Sequence, residues 1–195
     1  MKRFALFAAL ALSAHGGEMT VADVDGKPHR PLAAAGQVAT VLFFVLHDCP
    51  ISNGYAPEMS RIAQEYAARG VRSYVVYGEA DLASAEAQKH AREYGYRCPA
   101  LLDPPHGLAQ AAGATVAPEA AVFSAKGELL YRGRIDDRAA SLGVHRAEPK
   151  ERDLRAALDA VLAGKPVRER FTKAIGCYLP HSAETSAPPK TPPLP

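Results

Sequence analysis

The fold is decided by the stretch Val41-Leu42-Phe43-Phe44-Val45-Leu46-His47-Asp48-Cys49-Pro50-Ile51-Ser52-Asn53, with Pro57 eight residues past the cysteine. Its apolar first half is typical of a buried strand, and the polar pair that follows ends the strand where a helix can begin. A cysteine at such a junction lies near unpaired backbone N–H groups and the positive end of a helix dipole, which favour the reactive thiolate. Ser52 stands where a second cysteine would complete a Cys-x-x-Cys pair.

Length and composition indicate one globular domain with a real core. The chain has 195 residues, of which 48% are apolar and 23% charged, and its formal net charge is +2. These values are normal for a globular protein. Neither the basic nor the acidic residues form long blocks, so we expect no nucleic-acid partner and no binding to an anionic membrane.

The N-terminus has the layout of a secretory signal peptide. Lys2 and Arg3 precede nine apolar residues, at 4–12, and small residues follow at 13–17. Nine apolar residues are too few to span a bilayer as a helix, so no membrane span is expected. We predict a signal peptide at residues 1–17 and a secreted or periplasmic protein. The alternative is an amphipathic first helix of the mature fold.

Export would place the three cysteines, Cys49, Cys98 and Cys177, in an oxidising compartment. An odd number leaves at least one thiol free, in a mixed disulfide or bound to metal. At the other end of the chain, residues 182–195 contain five prolines and almost nothing large and apolar. Such a segment cannot bury enough surface to fold, and residues 180–195 are predicted to form a disordered Pro-rich tail.

Apolar periodicity and turn residues predict strands alternating with helices early in the chain and a hairpin late in it. Alternation followed by a hairpin implies an α/β fold, with a mixed central sheet covered by helices on both faces. The predicted elements are a short strand and turn at 20–27, strands at 38–46, 71–77 and 99–102, helices at 57–69, 81–94, 108–112 and 151–162, and a hairpin of strands 120–124 and 128–135.

This order of elements resembles the thioredoxin fold, in its redoxin branch of AhpC/TSA-like and TlpA-like proteins. Three features carry the resemblance: Cys49 with Pro57, the segment Tyr94-Gly95-Tyr96-Arg97-Cys98-Pro99-Ala100-Leu101-Leu102-Asp103-Pro104, and the segment 113–123 followed by 127–133. The resemblance implies a three-layer sandwich over residues 18–179. It also implies that Pro118 is a cis-proline facing the reactive cysteine, whereas most X–Pro bonds are trans.

The sequence is also similar to a bacterial subgroup of secreted redoxin-domain proteins. Its motifs "DCPISN-x-Y-x-PE", "GRIDDR" and "TKA-x-GC" correspond to residues 48–58, 133–138 and 172–177. Two departures from better-known relatives matter for the chemistry. Ser52 cannot resolve a mixed disulfide as a second cysteine does, and Leu46 stands where peroxiredoxins carry a Thr or Ser that polarises the peroxide.

Cys49 is the predicted nucleophile, acting on a disulfide sulfur or a peroxide oxygen. Its position at a polar strand-to-helix junction predicts an accessible thiol rather than a buried, inert one. Cys177 would be the resolving partner if the C-terminal extension folds back over Cys49, which requires Cα atoms within about 7 Å. For Cys98, a small buried apolar residue is the favoured interpretation.

Five further side chains are expected to support the site: His47, Asp48, Ser52, Asn53 and Arg134. Ser52 could donate a hydrogen bond to the reactive sulfur or only satisfy local backbone groups, and capping is the more typical role for Asn53. His47 could be a surface residue, a thiolate stabiliser or a metal ligand. Asp48 opposes thiolate formation by its charge but could shuttle a proton. Arg134 and the charges after it could orient the active-site loop or form a structural network.

The sequence therefore predicts an exported thiol-dependent oxidoreductase whose partners are protein or small-molecule thiols, disulfides or peroxides. No heme-attachment, phosphate-loop or zinc motif is present in the sequence, and no cofactor is expected. A copper-binding module is a second possibility, with His47, Cys49 and Cys177 as soft ligands. Asn53 weakens it, because that position would carry the second cysteine of a Cys-x-x-x-Cys pair. A non-catalytic binding scaffold is the third.

Overall fold

The computed structural model describes residues 19–33 and 36–180. The predicted signal peptide at 1–17 lies outside the described residues, as does the predicted tail beyond Pro180.

A five-stranded mixed sheet forms the centre of the molecule, in the order β5-β4-β3-β7-β8. The pairs β3–β4 and β4–β5 are parallel, whereas β3–β7 and β7–β8 are antiparallel. These strands are β3 (Ala39–Val45), β4 (Val71–Tyr77), β5 (Ala100–Leu102), β7 (Glu119–Ser124) and β8 (Leu129–Gly133). The parallel half is built from strands joined by helices and the antiparallel half from a tight hairpin, as predicted.

The described residues form four helices, of which α1, α2 and α4 contact strands of this sheet: α1 (Pro50–Ala67), α2 (Ser84–Glu93), α3 (Gly107–Ala112) and α4 (Asp153–Leu162). Every residue of β3 is buried. Because successive side chains of a strand point to opposite faces, complete burial means that both faces of the sheet are covered. The predicted α/β arrangement, with helices on both faces of a mixed sheet, is therefore confirmed.

The largest error in the predicted elements concerns α1, which begins at Pro50 and not at Pro57. Proline lacks the N–H that a helix interior uses, so Pro57 reads as a start signal in sequence. In the structure Pro50 occupies the first turn and Pro57 lies inside the helix. Helix α2 is also shorter than predicted, since it begins at Ser84 and not at Asp81.

Six two-residue or three-residue strands make three small sheets outside the central one. Two are hairpins, and the third joins β6 to β11 near the end of the described chain. The strands are β1 (Val21–Ala22), β2 (Pro28–His29), β6 (Val116–Ala117), β9 (Ala139–Ser141), β10 (Val144–His145) and β11 (Cys177–Tyr178). The sequence does not predict β6, β9, β10 or β11. Strands β9 and β10 lie in the segment directly after the predicted hairpin.

The segment after α4, residues 166–180, is called here the C-terminal strap. It first runs beside β8, where the Arg132 N–H donates to the Arg170 carbonyl at 2.8 Å and the Thr172 N–H donates to the Arg132 carbonyl at 3.1 Å. It then crosses to β6, where β11 pairs antiparallel with that strand. The strap thus connects the outer edge of the sheet to the end of the molecule where α1 begins.

Candidate active site

Cys49 lies between the end of β3 and the first turn of α1, as its N-cap residue. Only 1% of its surface is exposed. Its thiol donates a hydrogen bond to the carbonyl oxygen of Ala117, at 3.4 Å. The predicted accessible thiol is therefore wrong for this state, because a loop and a strap from later in the chain cover the junction.

The covering loop carries the Ala117–Pro118 peptide bond, which is cis, as expected for Pro118. The buried carboxylate of Glu119 holds this loop through hydrogen bonds to its backbone. The carboxylate accepts the backbone N–H of Thr115 at 2.9 Å and that of Val116 at 3.4 Å. The loop therefore presents the Ala117 carbonyl to the cysteine from a held backbone.

Cys177 reaches the same place from the strap. In the β6–β11 ladder Cys177 pairs with Ala117, the residue whose carbonyl accepts the Cys49 thiol. Burial first, and then the neighbouring Cys49 thiol, raise the pKa of Cys177 to about 11. Both thiols are free in this structure. The C-terminal extension thus folds back over Cys49, the condition under which Cys177 could act on it.

Gly176 lets the strap approach this closely. A Cβ on Gly176 would overlap the carbonyl group of Ala117 and lie 3.0 Å from the nitrogen of Pro118. Both are backbone atoms, which cannot rotate out of the way. The tight contact is therefore a property of glycine at this position.

Ser52 lies in the first turn of α1, three residues after Cys49, and is completely buried. Residues three apart share one face of a helix, so the hydroxyl lies on the side of the turn that faces the cysteine. Among the described residues this hydroxyl has no hydrogen-bond partner. In this structure it therefore donates neither to the Cys49 sulfur nor to a local backbone group, the two interpretations from the sequence.

His47 is held by Glu79, which follows β4. The Glu79 carboxylate accepts the backbone N–H of His47 at 2.7 Å and lies 3.0 Å from its Nδ1. Burial disfavours the charged imidazole, but the hydrogen bond and charge of Glu79 outweigh burial, so the pKa of His47 is raised. Asp48, beside it, is exposed and adds to this effect.

A buried polar chain runs from α1 into the sheet. The Asn53 amide donates to the His47 carbonyl at 3.0 Å, and its oxygen lies 3.0 Å from Nε2 of His90. Nδ1 of His90 lies 2.7 Å from the hydroxyl of Tyr77. Burial, with the nearby His47 charge, lowers the pKa of His90. Asn53 therefore bridges α1 and α2 in addition to lying in the first turn.

Sequence reasoning missed Glu79, His90 and Tyr77. Tyr77 ends a predicted strand and Glu79 follows it by two residues, so their place at the end of the sheet was readable. His90 carried no such signal. Its role depends on which face of α2 meets α1, and only the packed structure fixes that.

Arg134 binds an acidic side chain of α4. Its guanidinium forms a two-point ion pair with Asp153 at the start of α4, with distances of 2.8 and 3.1 Å. The neighbouring Asp136 accepts a hydrogen bond from the Tyr55 hydroxyl at 2.6 Å. Asp137 accepts one from the backbone N–H of Lys150, also at 2.6 Å. These contacts fit the structural-network interpretation of this charged string.

Cys98 lies two residues before β5, is partly buried and packs against the core. Burial raises the pKa of its thiol to about 12. This agrees with the interpretation of Cys98 as a packing residue.

Across residues 19–33 and 36–180, the potential metal ligands that converge are His47, Asp48 and Glu79, whose donor atoms lie within 4.8 Å of one another. Neither cysteine belongs to this group. The oxygen-rich set does not match the soft Cu(I) site envisaged from His47, Cys49 and Cys177. In the same residues no helix combines the length and apolar character that crossing a bilayer requires.

Solved structures place this architecture among thioredoxin-like proteins. An uncharacterised conserved protein from Geobacillus kaustophilus is 28% identical, with a TM-score of 0.72 over 84% of this chain and 88% of that one. A hypothetical protein from Sinorhizobium meliloti 1021 is 24% identical, with a TM-score of 0.71 over 90% and 97%. A secreted disulfide oxidoreductase from Mycobacterium tuberculosis is 19% identical, with a TM-score of 0.51 over 75% and 96%.

No curated protein matches the chain in sequence. The family model described as Redoxin matches residues 13–148, which include β3, the Cys49 junction and the Ala117–Pro118 loop. The match ends before α4 and the strap, so Cys177 lies outside the matched residues. With more than half of its length matched by that model, this chain belongs to the redoxin family.

Proposed function

We propose that this protein is an exported thiol–disulfide oxidoreductase in which Cys49 is the nucleophile and Cys177 the resolving cysteine. One observation carries the proposal: Cys177 of β11 pairs with Ala117 of β6, the residue whose carbonyl accepts the Cys49 thiol. A second thiol beside the first supplies what the missing Cys-x-x-Cys partner would supply.

The reaction is ordinary disulfide exchange. The Cys49 thiolate attacks one sulfur of a substrate disulfide, the substrate S–S bond breaks, and the other substrate sulfur leaves as a thiolate. The Cys177 thiolate then attacks the Cys49 sulfur, forms the Cys49–Cys177 disulfide and releases the second substrate thiol. The substrate gains two electrons and the protein loses two. Run backwards, the same steps oxidise a substrate dithiol.

The residues around Cys49 suit the first step. A thiolate there needs hydrogen-bond donors in place of the Ala117 acceptor. The N-terminus of an 18-residue helix offers backbone N–H groups, and the unpartnered hydroxyl of Ser52 is buried in the same turn. Both favour the charged sulfur.

Three further features favour disulfide over peroxide substrates or favour export. Leu46, at the position where peroxiredoxins hold a polarising hydroxyl, is buried and apolar. The secreted M. tuberculosis protein of similar fold is a disulfide oxidoreductase. Residues 1–17 carry the basic start and short apolar core of a signal peptide.

The stoichiometry of the reaction with 5,5′-dithiobis(2-nitrobenzoate) tests the proposal. With the reagent limiting, the reduced protein should release two thionitrobenzoate ions for each molecule of reagent, because Cys177 displaces the one left on Cys49. Cys177→Ser should release one and keep an adduct on Cys49 in the mass spectrum. Cys49→Ser should lose the fast reaction altogether.

Cys98→Ser is the matched control, because Cys98 is a packing residue with a raised pKa, and it should behave as the unchanged protein. Because the pKa of Cys177 is about 11, the second release should accelerate as the pH rises from neutrality. A fast two-ion release from Cys49→Ser would refute the assignment.

A further inference from the structure

The strap occupies the place of an extended substrate on this site. Residues 177–178 form a strand on the free edge of β6, and the next residue continues the ladder, since the Leu179 N–H donates to the Thr115 carbonyl at 3.0 Å. The cysteine of this strand pairs with Ala117, whose carbonyl accepts the Cys49 thiol. A substrate cysteine undergoing exchange with Cys49 must lie in the same position.

Four consecutive strap residues meet four different surroundings. Gly176 faces the backbone of Ala117 and Pro118, where a Cβ does not fit. Cys177 faces Cys49. Tyr178 is 81% exposed, so its side chain is not selected by a pocket.

Leu179 is the opposite case, with only 4% of its surface exposed. Its Cδ2 would lie 3.3 Å from a Cβ placed on Gly78, just after β4, so the leucine fills a space that Gly78 leaves open. A polar or small residue at this point would leave apolar surface uncovered.

We propose that the substrates of the proposed exchange are extended protein segments of the pattern Gly-Cys-Xaa-Leu, which replace the strap on β6. The proposal rests on the proposed function and adds its specificity. The glycine admits the close approach, the backbone pairs with residues 115–117, and the leucine fills the space beside Gly78. The residue after the cysteine is free to vary.

The strap and the substrate therefore bind in turn to the same edge of β6. The substrate strand pairs with β6 while its sulfur is bonded to Cys49, which requires that the strap has left. The substrate strand then leaves β6 while its sulfur stays bonded to Cys49, the strap returns, and Cys177 attacks the Cys49 sulfur on the side opposite the substrate sulfur, which departs as a thiolate. One edge thus serves both binding and release.

Short peptides joined through their cysteine to thionitrobenzoate test this pattern on the full chain carrying Cys177→Ser. The parent peptide contains Gly-Cys-Tyr-Leu, and two matched peptides replace its glycine by alanine or its leucine by serine. Cys49 attacks the peptide sulfur, and thionitrobenzoate leaves as a coloured thiolate. We expect the parent to react about tenfold faster than either matched peptide.

A second variant, which carries Leu179→Ser in addition to Cys177→Ser, should hold its own strap less tightly. The parent peptide should therefore react with its Cys49 faster still. Equal rates for the three peptides in both chains, with normal reaction of free 5,5′-dithiobis(2-nitrobenzoate), would overturn the pattern and leave the proposed function standing. A Cys49 that is inert to the free reagent as well would overturn the proposed function and the pattern with it.

Discussion

At the scale of single residues, the site pairs two histidines whose pKa values move in opposite directions. His47 is beside Glu79, which raises its pKa, while His90 is buried against Tyr77 and Asn53, which keeps it neutral. Their rings lie 6.3 Å apart between centroids. His47 therefore binds a proton more readily than His90, and a charge on His47 disfavours a second charge on His90.

Replacing Glu79 by glutamine should lower the pKa of His47 toward 6.5, because the negative charge that offsets its burial is lost while an amide oxygen remains as an acceptor. The raised pKa means that protonated His47 stabilises the fold. That contribution is full below about pH 6.5 and disappears as the pH rises through the raised value. In Glu79→Gln this pH dependence should flatten. NMR titration of the His47 ring, with unfolding measured across the same pH range, checks both effects.

Glu86→Gln is the control for this prediction. Glu86 is 3.8 Å from Nε2 of His47 and well exposed, so solvent screens it and the pKa of His47 should move little. An equal response to both substitutions would mean that general negative charge, and not the contact with Glu79, determines the protonation of His47.

At the scale of elements, α1 is the part that joins site and scaffold. Cys49 is its N-cap, its first turn carries Ser52 and Asn53, and the residue directly after Pro57 ties it to α4. The buried Glu58 carboxylate lies 2.8 Å from Nε of Arg155 on α4 and 2.8 Å from Nε of Arg61. Burial opposes its charge, but these two guanidinium groups outweigh burial and lower its pKa. The orientation of the helix that presents the cysteine thus depends on a buried ion pair.

Glu58→Ala should therefore cost about 3 kcal/mol of unfolding free energy, because it leaves the largely buried Arg155 guanidinium without its buried carboxylate. Chemical denaturation at neutral pH measures this loss. The difference from the unchanged protein should shrink as the pH falls through the lowered pKa, where the native carboxylate is itself neutralised.

Glu65→Ala is the matched control on the same helix. Glu65 also pairs with Arg155, but 52% of its side chain is exposed. Exposed pairs contribute up to about 1 kcal/mol, so its loss should be small. A cost for Glu65→Ala as large as that for Glu58→Ala would show that the buried position of Glu58 has no special weight.

How far the sequence predicts these elements depends on how local their causes are. The apolar run in β3, the β-branched run in β4 and the turn at Gly127 each carry their own signal, and all three elements were predicted within two residues. Strands such as β6 and β11 have two residues each and carry none. They exist because the strap and the Ala117–Pro118 loop meet, which is a tertiary event.

The same distinction applies to the candidate site. The junction before α1 and the cis bond at Pro118 follow from residues that are neighbours in the chain or from a recognisable family pattern. The burial of Cys49 follows from neither, since its cover comes from residues far along the chain. Ser52 was named, but its lack of a partner required the packed helix.

At the scale of the whole molecule, the strap fastens two separate parts of the structure. Near β8 the hydroxyl of Thr172 lies 2.7 Å from that of Tyr131 and accepts the Arg134 N–H at 3.1 Å. At the other end Leu179 is buried against the core. Burying one leucine side chain is worth about 2 kcal/mol, so the strap end is held firmly enough to cover Cys49 but weakly enough to exchange.

Gly176→Ala should release this end of the strap, because the new Cβ would overlap the Ala117 carbonyl, which belongs to the backbone. Hydrogen exchange should then accelerate by about tenfold or more at the Leu179 amide, which donates to Thr115, since a lost contact of about 1.4 kcal/mol changes an opening equilibrium tenfold. Amides of β3 and β4 should stay protected, because the central sheet does not depend on the strap.

Gly54→Ala is the control, since Gly54 lies in α1 with nothing within 4 Å of the added Cβ, and alanine favours a helix. Its Leu179 amide should exchange at the original rate. In Gly176→Ala the freed strap should also expose Cys49, so the first reaction with 5,5′-dithiobis(2-nitrobenzoate) should be faster and the second release slower. Unchanged exchange at Leu179 and an unchanged second release would mean that Cys49 is covered by the Ala117–Pro118 loop alone, and that Cys177 reaches it without a seated strap.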